Sequence, residues 1–126
     1  MTRKVVAGKK LGELEFAVLE KLWQSSDPTS PHEIIDGLPG KQRAYTTIVT
    51  ILTRLIDKGL VERFPDGRSY LYRASGSPDE LTARAIGQLL QSSKNPMAVL
   101  NHLVNNVTDK ELISELEEIV AKAAES

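Results

Sequence analysis

Cysteine is absent from all 126 residues. That excludes disulfide frameworks, thiolate metal sites and thiol nucleophiles, though it does not by itself identify a compartment. Aromatic residues supply only 5% of the chain, so any core must be mostly aliphatic. Long apolar runs are missing too: the opening MTRKVVAGKKLGELEF is basic, but nothing after it could form a signal-peptide core or a membrane span. A soluble, cytoplasmic protein that does not engage membranes is expected. Phosphate-cradling glycine loops, nucleophile elbows and metal-spaced histidine clusters are likewise lacking. His32 sits in a helix-capping sequence and His102 in a helical stretch far away. No catalytic residue, metal or cofactor is therefore assigned, and Glu115, Glu117, Glu118 and Glu125 read as a solvated helix face.

With 40% hydrophobic residues the chain can bury a modest core, as one domain or two small ones. The net charge of -1 conceals a division by segment. Residues 1–75 carry 12 Lys+Arg against 9 Asp+Glu, a balance of +3, and residues 76–126 carry 4 against 8, a balance of -4. A basic front half and an acidic back half suit a chain of which one part meets an anionic polymer.

Helix starts are marked at Ser30-Pro31-His32-Glu33, Ser77-Pro78-Asp79-Glu80 and Thr108-Asp109-Lys110-Glu111. Each offers a hydroxyl to cap and a Glu three residues on to reach back. The first two also place Pro where a helix loses nothing by lacking an N–H. Further helices are predicted over about 12–25 and 44–58, the latter closed by Gly59 as a left-handed cap. Residues 60–64 and 70–74 flank Pro65-Asp66-Gly67-Arg68-Ser69 and read as a hairpin.

The helix within AYTTIVTILTRLIDKG is unusual. Ile48, Ile51, Leu52, Leu55 and Ile56 form a stripe at i, i+3, i+4, i+7 and i+8. Thr46, Thr50, Thr53 and Arg54 fall opposite, with Thr47 on the flank. A face serving only solubility would carry Glu, Lys and Gln, which favour helices more. Short, uncharged, methyl-bearing side chains followed by a guanidinium instead suit a helix in the DNA major groove, where the backbone must approach base edges closely. The competing reading is a surface helix with incidental threonines. The preceding SPHEIIDGLPGKQRAY supplies a short helix and a tight Pro-Gly connection, as helix-turn-helix units require. The following hairpin carries Arg63, Arg68 and Arg73, the arrangement of a winged helix. Arg68 and Ser69 at its tip, and Lys41 and Arg43 before the helix, are candidate phosphate contacts.

The segments LGELEFAVLEKLW, SPHEII, AYTTIVTILTRLIDKGLVER and GRSYLYRA closely resemble the penicillinase-repressor (BlaI/MecI/CopY) family of bacterial transcription factors. The resemblance extends over nearly the whole chain. It implies a mainly α fold with a small β-hairpin: a winged helix-turn-helix domain over residues 1–75, followed by a three-helix dimerisation domain over residues 76–126. It also implies repression by a homodimer on a double-stranded, inverted-repeat operator of TACA/TGTA type, with Tyr45, Thr46, Thr47, Thr50 and Arg54 at the base-contact positions. In resistance-controlling members a sensor-linked protease cuts beside an Asn in the dimerisation helices, which matches Asn101-His102 here. Copper-responsive members use a cysteine cluster, which this chain lacks.

The tail points to a dimer on its own account. Leu81, Ile86, Leu89, Leu100, Leu103, Leu112, Leu116, Ile119 and Val120 lie on helical stripes in a segment too small to be stable alone. Packing on an apolar strip of the first long helix, Phe16, Leu19 and Trp23, is the alternative. Two other functional classes stay open: a winged-helix protein-interaction module, and a small-molecule-gated regulator with a pocket between its domains.

Overall fold

The computed structural model describes residues 4–125, except for the side chains of residues 120 and 123–125. The expected roles of Val120 and Glu125 therefore lie outside the described residues. The elements run β1 (Lys4–Val6), β2 (Lys9–Leu11), α1 (Glu13–Gln24), α2 (Pro31–Gly37), α3 (Tyr45–Asp57), β3 (Val61–Asp66), β4 (Ser69–Ala74), α4 (Pro78–Ser92), α5 (Pro96–Asn106) and α6 (Lys110–Glu125). The chain separates into two compact units after Ile86, later than the boundary after residue 75 read from the sequence.

In the first unit, α3 lays its apolar stripe on α1 and α2. Ile48, Leu52 and Leu55 are fully buried with Val18, Leu19 and Ile34, while Ile56, at the end of the stripe, is half-buried. The long β3–β4 hairpin pairs from Val61↔Ala74 to Asp66↔Ser69. Thr29 adds one further rung, exchanging backbone hydrogen bonds of 2.8 and 2.9 Å with Tyr72. This is the winged-helix arrangement. Strand pairing runs further toward the tip than the sequence suggested, because Gly67 takes φ +63° and Arg68 does not. That is the pattern of a two-residue type II′ turn, which leaves Pro65 and Asp66 free to pair.

Capping follows the sequence at two of the three marked starts. Ser30 and Ser77 each exchange both hydrogen bonds of the box, with Glu33 and Glu80 respectively. At α6 the cap is Asp109 rather than Thr108: its Oδ1 accepts from Glu111 N at 3.0 Å and Leu112 N at 3.3 Å. A carboxylate at the positive end of a helix outcompetes a hydroxyl for that place. At the end of α3, Gly59 (φ +77°) donates to Ile56 O at 2.9 Å and Leu60 to Leu55 O at 3.0 Å, closing a Schellman motif.

One element was not anticipated. Ala7 and Gly8 both have positive φ, +50° and +78°, and turn the basic opening back on itself as the β1–β2 hairpin. Val6 and Leu11 from it are buried in the core. Ala-Gly is a weak turn signal beside Asn-Gly, and three-residue strands carry too few positions to show a period.

The second unit, residues 87–126, is held differently. Within α5 and α6 none of the described side chains is buried, and Leu89, Met97, Leu103, Leu112 and Ile119 are each more than half exposed. Leu81, expected among the dimerising residues, belongs elsewhere: it is 3% exposed within the core of the first unit. It has no surface left to offer a second copy.

Candidate nucleic-acid interface

Helix α3 begins at Ala44 without a side-chain cap, so its first N–H groups are unclaimed by a capping side chain. Thr46, Thr47, Thr50, Thr53 and Arg54 are all exposed, opposite the buried stripe. Thr46, Thr47, Thr50, Ile51 and Arg54 together line one shallow, open concavity.

The hydroxyls on this face are not equivalent. Thr50 Oγ1 donates to Thr46 O and Thr53 Oγ1 to Val49 O, each at 2.9 Å. Their protons are spent inside the helix, which leaves a methyl group and oxygen lone pairs toward solvent. Among the described residues the hydroxyls of Thr46 and Thr47 have no protein partner and can both donate and accept. Periodicity placed Thr46, Thr50 and Thr53 outward and Thr47 on the flank but could not make this distinction, which depends on rotamers.

Tyr45 is 41% exposed, and its ring lies 4.8 Å from that of His32 on α2. His32, read from sequence as part of a cap, thus also braces a candidate contact residue. No sequence signal pairs them, because their proximity depends on how α2 crosses α3. Before the helix, Lys41 is exposed and Arg43 half-buried.

On the wing, where the sequence singled out Arg68 at the tip as a phosphate contact, the structure gives the three arginines different surroundings. Arg73 is paired with Glu62 at 3.2 Å and lies over the Phe64 ring at 4.8 Å. Arg63 lies over the Tyr70 ring at 4.4 Å. Arg68, exposed at the turn, has no such partner among the described residues. Ser69 Oγ donates to Asp66 O at 3.2 Å, so its proton tightens the turn rather than facing outward.

The scaffold beneath α3 is anchored by one charged contact. Lys58 Nζ lies 2.7 Å from Glu15 Oε2 and donates to Lys10 O at 3.0 Å, while Glu15 Oε1 accepts from Gly12 N at 3.2 Å. Partial burial opposes ionisation of Glu15, but the Lys58 ammonium and the Gly12 N–H outweigh it and hold the carboxyl below its ordinary value of 4.5. Burial pushes the Tyr72 phenol up, with Arg63 countering in part.

No three His, Cys, Asp or Glu side chains among the described residues are grouped to hold a metal ion. None of the described helices is long and apolar enough to cross a membrane.

Comparison with known proteins gives a match between residues 11–122 and the family model described as penicillinase repressor. The chain is 34% identical over 102 residues to "Transcriptional regulator BlaI" of Mycobacterium tuberculosis, in strains CDC 1551 / Oshkosh and ATCC 25618 / H37Rv, covering 78% of this chain and 74% of that protein. Among solved structures it is similar to MepR, a transcription regulator of the Staphylococcus aureus multidrug efflux pump MepA (18% identity, 91% of this chain and 78% of that one, TM-score 0.48). It is also similar to an ArsR-like transcriptional regulator from Rhodococcus sp. RHA1 (24% identity, 76% and 86%, TM-score 0.48).

Proposed function

The chain belongs to the penicillinase repressor family, and from that membership and the exposed face of α3 we propose that it is a homodimeric repressor of an inverted-repeat operator. It is a DNA-binding transcriptional regulator and not an enzyme. The observation that carries the operator reading is the threonine and arginine face. Thr46, Thr47, Thr50 and Arg54 are exposed on a helix whose opposite side is the core, and among the described residues none of their side chains is hydrogen-bonded or ion-paired to another element. Thr46 and Thr47 hydrogen-bond base edges, Thr50 offers its methyl to a thymine methyl, and Arg54 forks onto guanine or a phosphate. Tyr45, braced by His32, contacts the groove wall. Lys41, Arg43 and the first N–H groups of α3 take backbone phosphates, and Arg68 takes another from the wing, with Ser69 holding its turn.

The second unit supports the homodimer, because its apolar side chains stand exposed in the single chain. Leu89, Leu100, Leu103, Leu112, Leu116 and Ile119 supply the proposed contacts, with Ile86 at the junction. A two-fold pair sets two recognition helices about one DNA turn, roughly 34 Å, apart. Control of β-lactam resistance genes and release by a sensor-linked protease at Asn101-His102 complete the reading. Both residues are exposed on α5, and the helix must open locally to enter a protease.

Footprinting on the DNA upstream of the protein's own gene tests the operator reading: paired TACA and TGTA elements should be protected. Absence of any protected inverted repeat, or binding insensitive to salt, would refute it. A fragment ending near Asn101 after incubation with the activated sensor is the expected sign of proteolysis.

A further inference from the structure

The β1–β2 hairpin is the one described element lying almost wholly before the residues that match the family model, and the groove-reading function above does not use it. It is nevertheless firmly placed. Val6 and Leu11 anchor it in the core, and Lys10 O accepts from Lys58 Nζ at 3.0 Å. Lys58 closes α3, its own N–H donating to Arg54 O at 3.1 Å. The strand carrying Lys10 is thus tethered to the helix about one turn, roughly 5.4 Å of rise, beyond the outermost groove residue.

Its charge is unspent. Lys9 and Lys10 are both exposed, and among the described residues neither ammonium has an ion-pair partner. Glu15, the carboxylate seated between hairpin and helix, is already engaged by Lys58. Lys4, by contrast, lies over the Phe16 ring at 5.5 Å. Successive strand residues start from opposite faces, but each lysine carries a flexible four-carbon stem, so both exposed ammonium groups can swing toward neighbouring phosphates of one backbone.

We propose that Lys9 and Lys10 form a second phosphate-binding element of the DNA interface, continuing it past Arg54 along the duplex backbone. The inference rests on the operator reading, since it assumes that Arg54 faces DNA. Point charges on a hairpin carry no base code. The element raises affinity on every sequence alike.

The test is a salt titration of full-length protein on a TACA/TGTA inverted-repeat duplex and on a scrambled duplex of equal length, comparing wild type with the double variant Lys9→Gln, Lys10→Gln. The log-log slope should flatten by about one to two on both duplexes, with the affinity ratio between them unchanged. The double variant Lys9→Arg, Lys10→Arg should keep the wild-type slope. An unchanged slope for the glutamine variant overturns the proposal, whatever else the hairpin binds. If Arg54→Ala still weakens operator binding in that case, the groove assignment survives and only the hairpin element falls. A wild-type protein whose binding ignores salt would remove both.

Discussion

Thr50 shows how much one rotamer decides. Its hydroxyl proton is committed to Thr46 O, so its value to a DNA partner is a methyl contact and not a donated hydrogen bond. Thr50→Val keeps a methyl in place and should bind the operator within about twofold of wild type. Thr50→Ala removes the methyl contact and should lower discrimination at one base pair by about 0.8 kcal/mol, roughly fourfold, measured by competition between operator variants. The reverse order would show that the hydroxyl does the reading. Gly59 is a residue whose role is purely local. A Cβ there would meet nothing within 4 Å, yet φ is +77°. Gly59→Ala should therefore cost about 1 kcal/mol in thermal or denaturant unfolding, from backbone strain alone, with operator affinity intact.

Among elements, α3 was the most legible from sequence, because its two faces differ in kind: aliphatic on one, short and hydroxylated on the other. Its ends were legible too, from Gly59 and from the turn before Ala44. Its anchoring was not. The Lys58–Glu15 contact joins residues 43 positions apart, and no local pattern announces such a pair. Both side chains are mostly shielded, at 30% and 13% exposure, so Lys58→Met should destabilise the fold by about 1–2 kcal/mol. The pH sign follows from the lowered Glu15 value. Its contribution is complete above the ordinary 4.5 and is lost as pH falls through the lower folded value. Wild-type stability should therefore drop in that acid range, and Lys58→Met should show a shallower drop in denaturant unfolding followed against pH.

The wing makes the same point about elements. The sequence puts Arg68 at the tip of the hairpin and Arg63 and Arg73 on its stems, but only strand register puts Arg73 opposite Glu62 and lays Arg63 over Tyr70. Among the described residues, Arg68 is the one wing arginine without a partner of this kind. Arg68→Ala should flatten the salt slope of operator binding by about one, while Arg73→Ala should change it less. Equal slopes for the two variants would mean that the wing pairs open on DNA.

For the whole molecule, the acidic tail helices matter most. Leu116 is 45% exposed in the single chain and lies in an apolar depression with Val104, Ile113 and Ala121. A second copy covering it would make Leu116→Glu cost about 3 kcal/mol, roughly a hundredfold in dimer affinity, by burying an unpaired charge. Sedimentation equilibrium should show a monomer that keeps its helical content, and binding to an inverted repeat should fall toward that of a single half-site. A variant that stays dimeric would place the interface elsewhere.

The sequence by itself determined the class of fold, most of the helix termini, the outward threonine face and the family. All of these are written in local periodicity, capping chemistry and residue type, which short-range sterics and hydrogen bonding translate directly. Tertiary structure alone decided how the wing arginines are partnered, that Leu81 belongs to the first core, and that the basic opening folds back beside the end of α3. These depend on contacts between residues far apart in the chain, where packing and competition for partners, not local propensity, select the outcome.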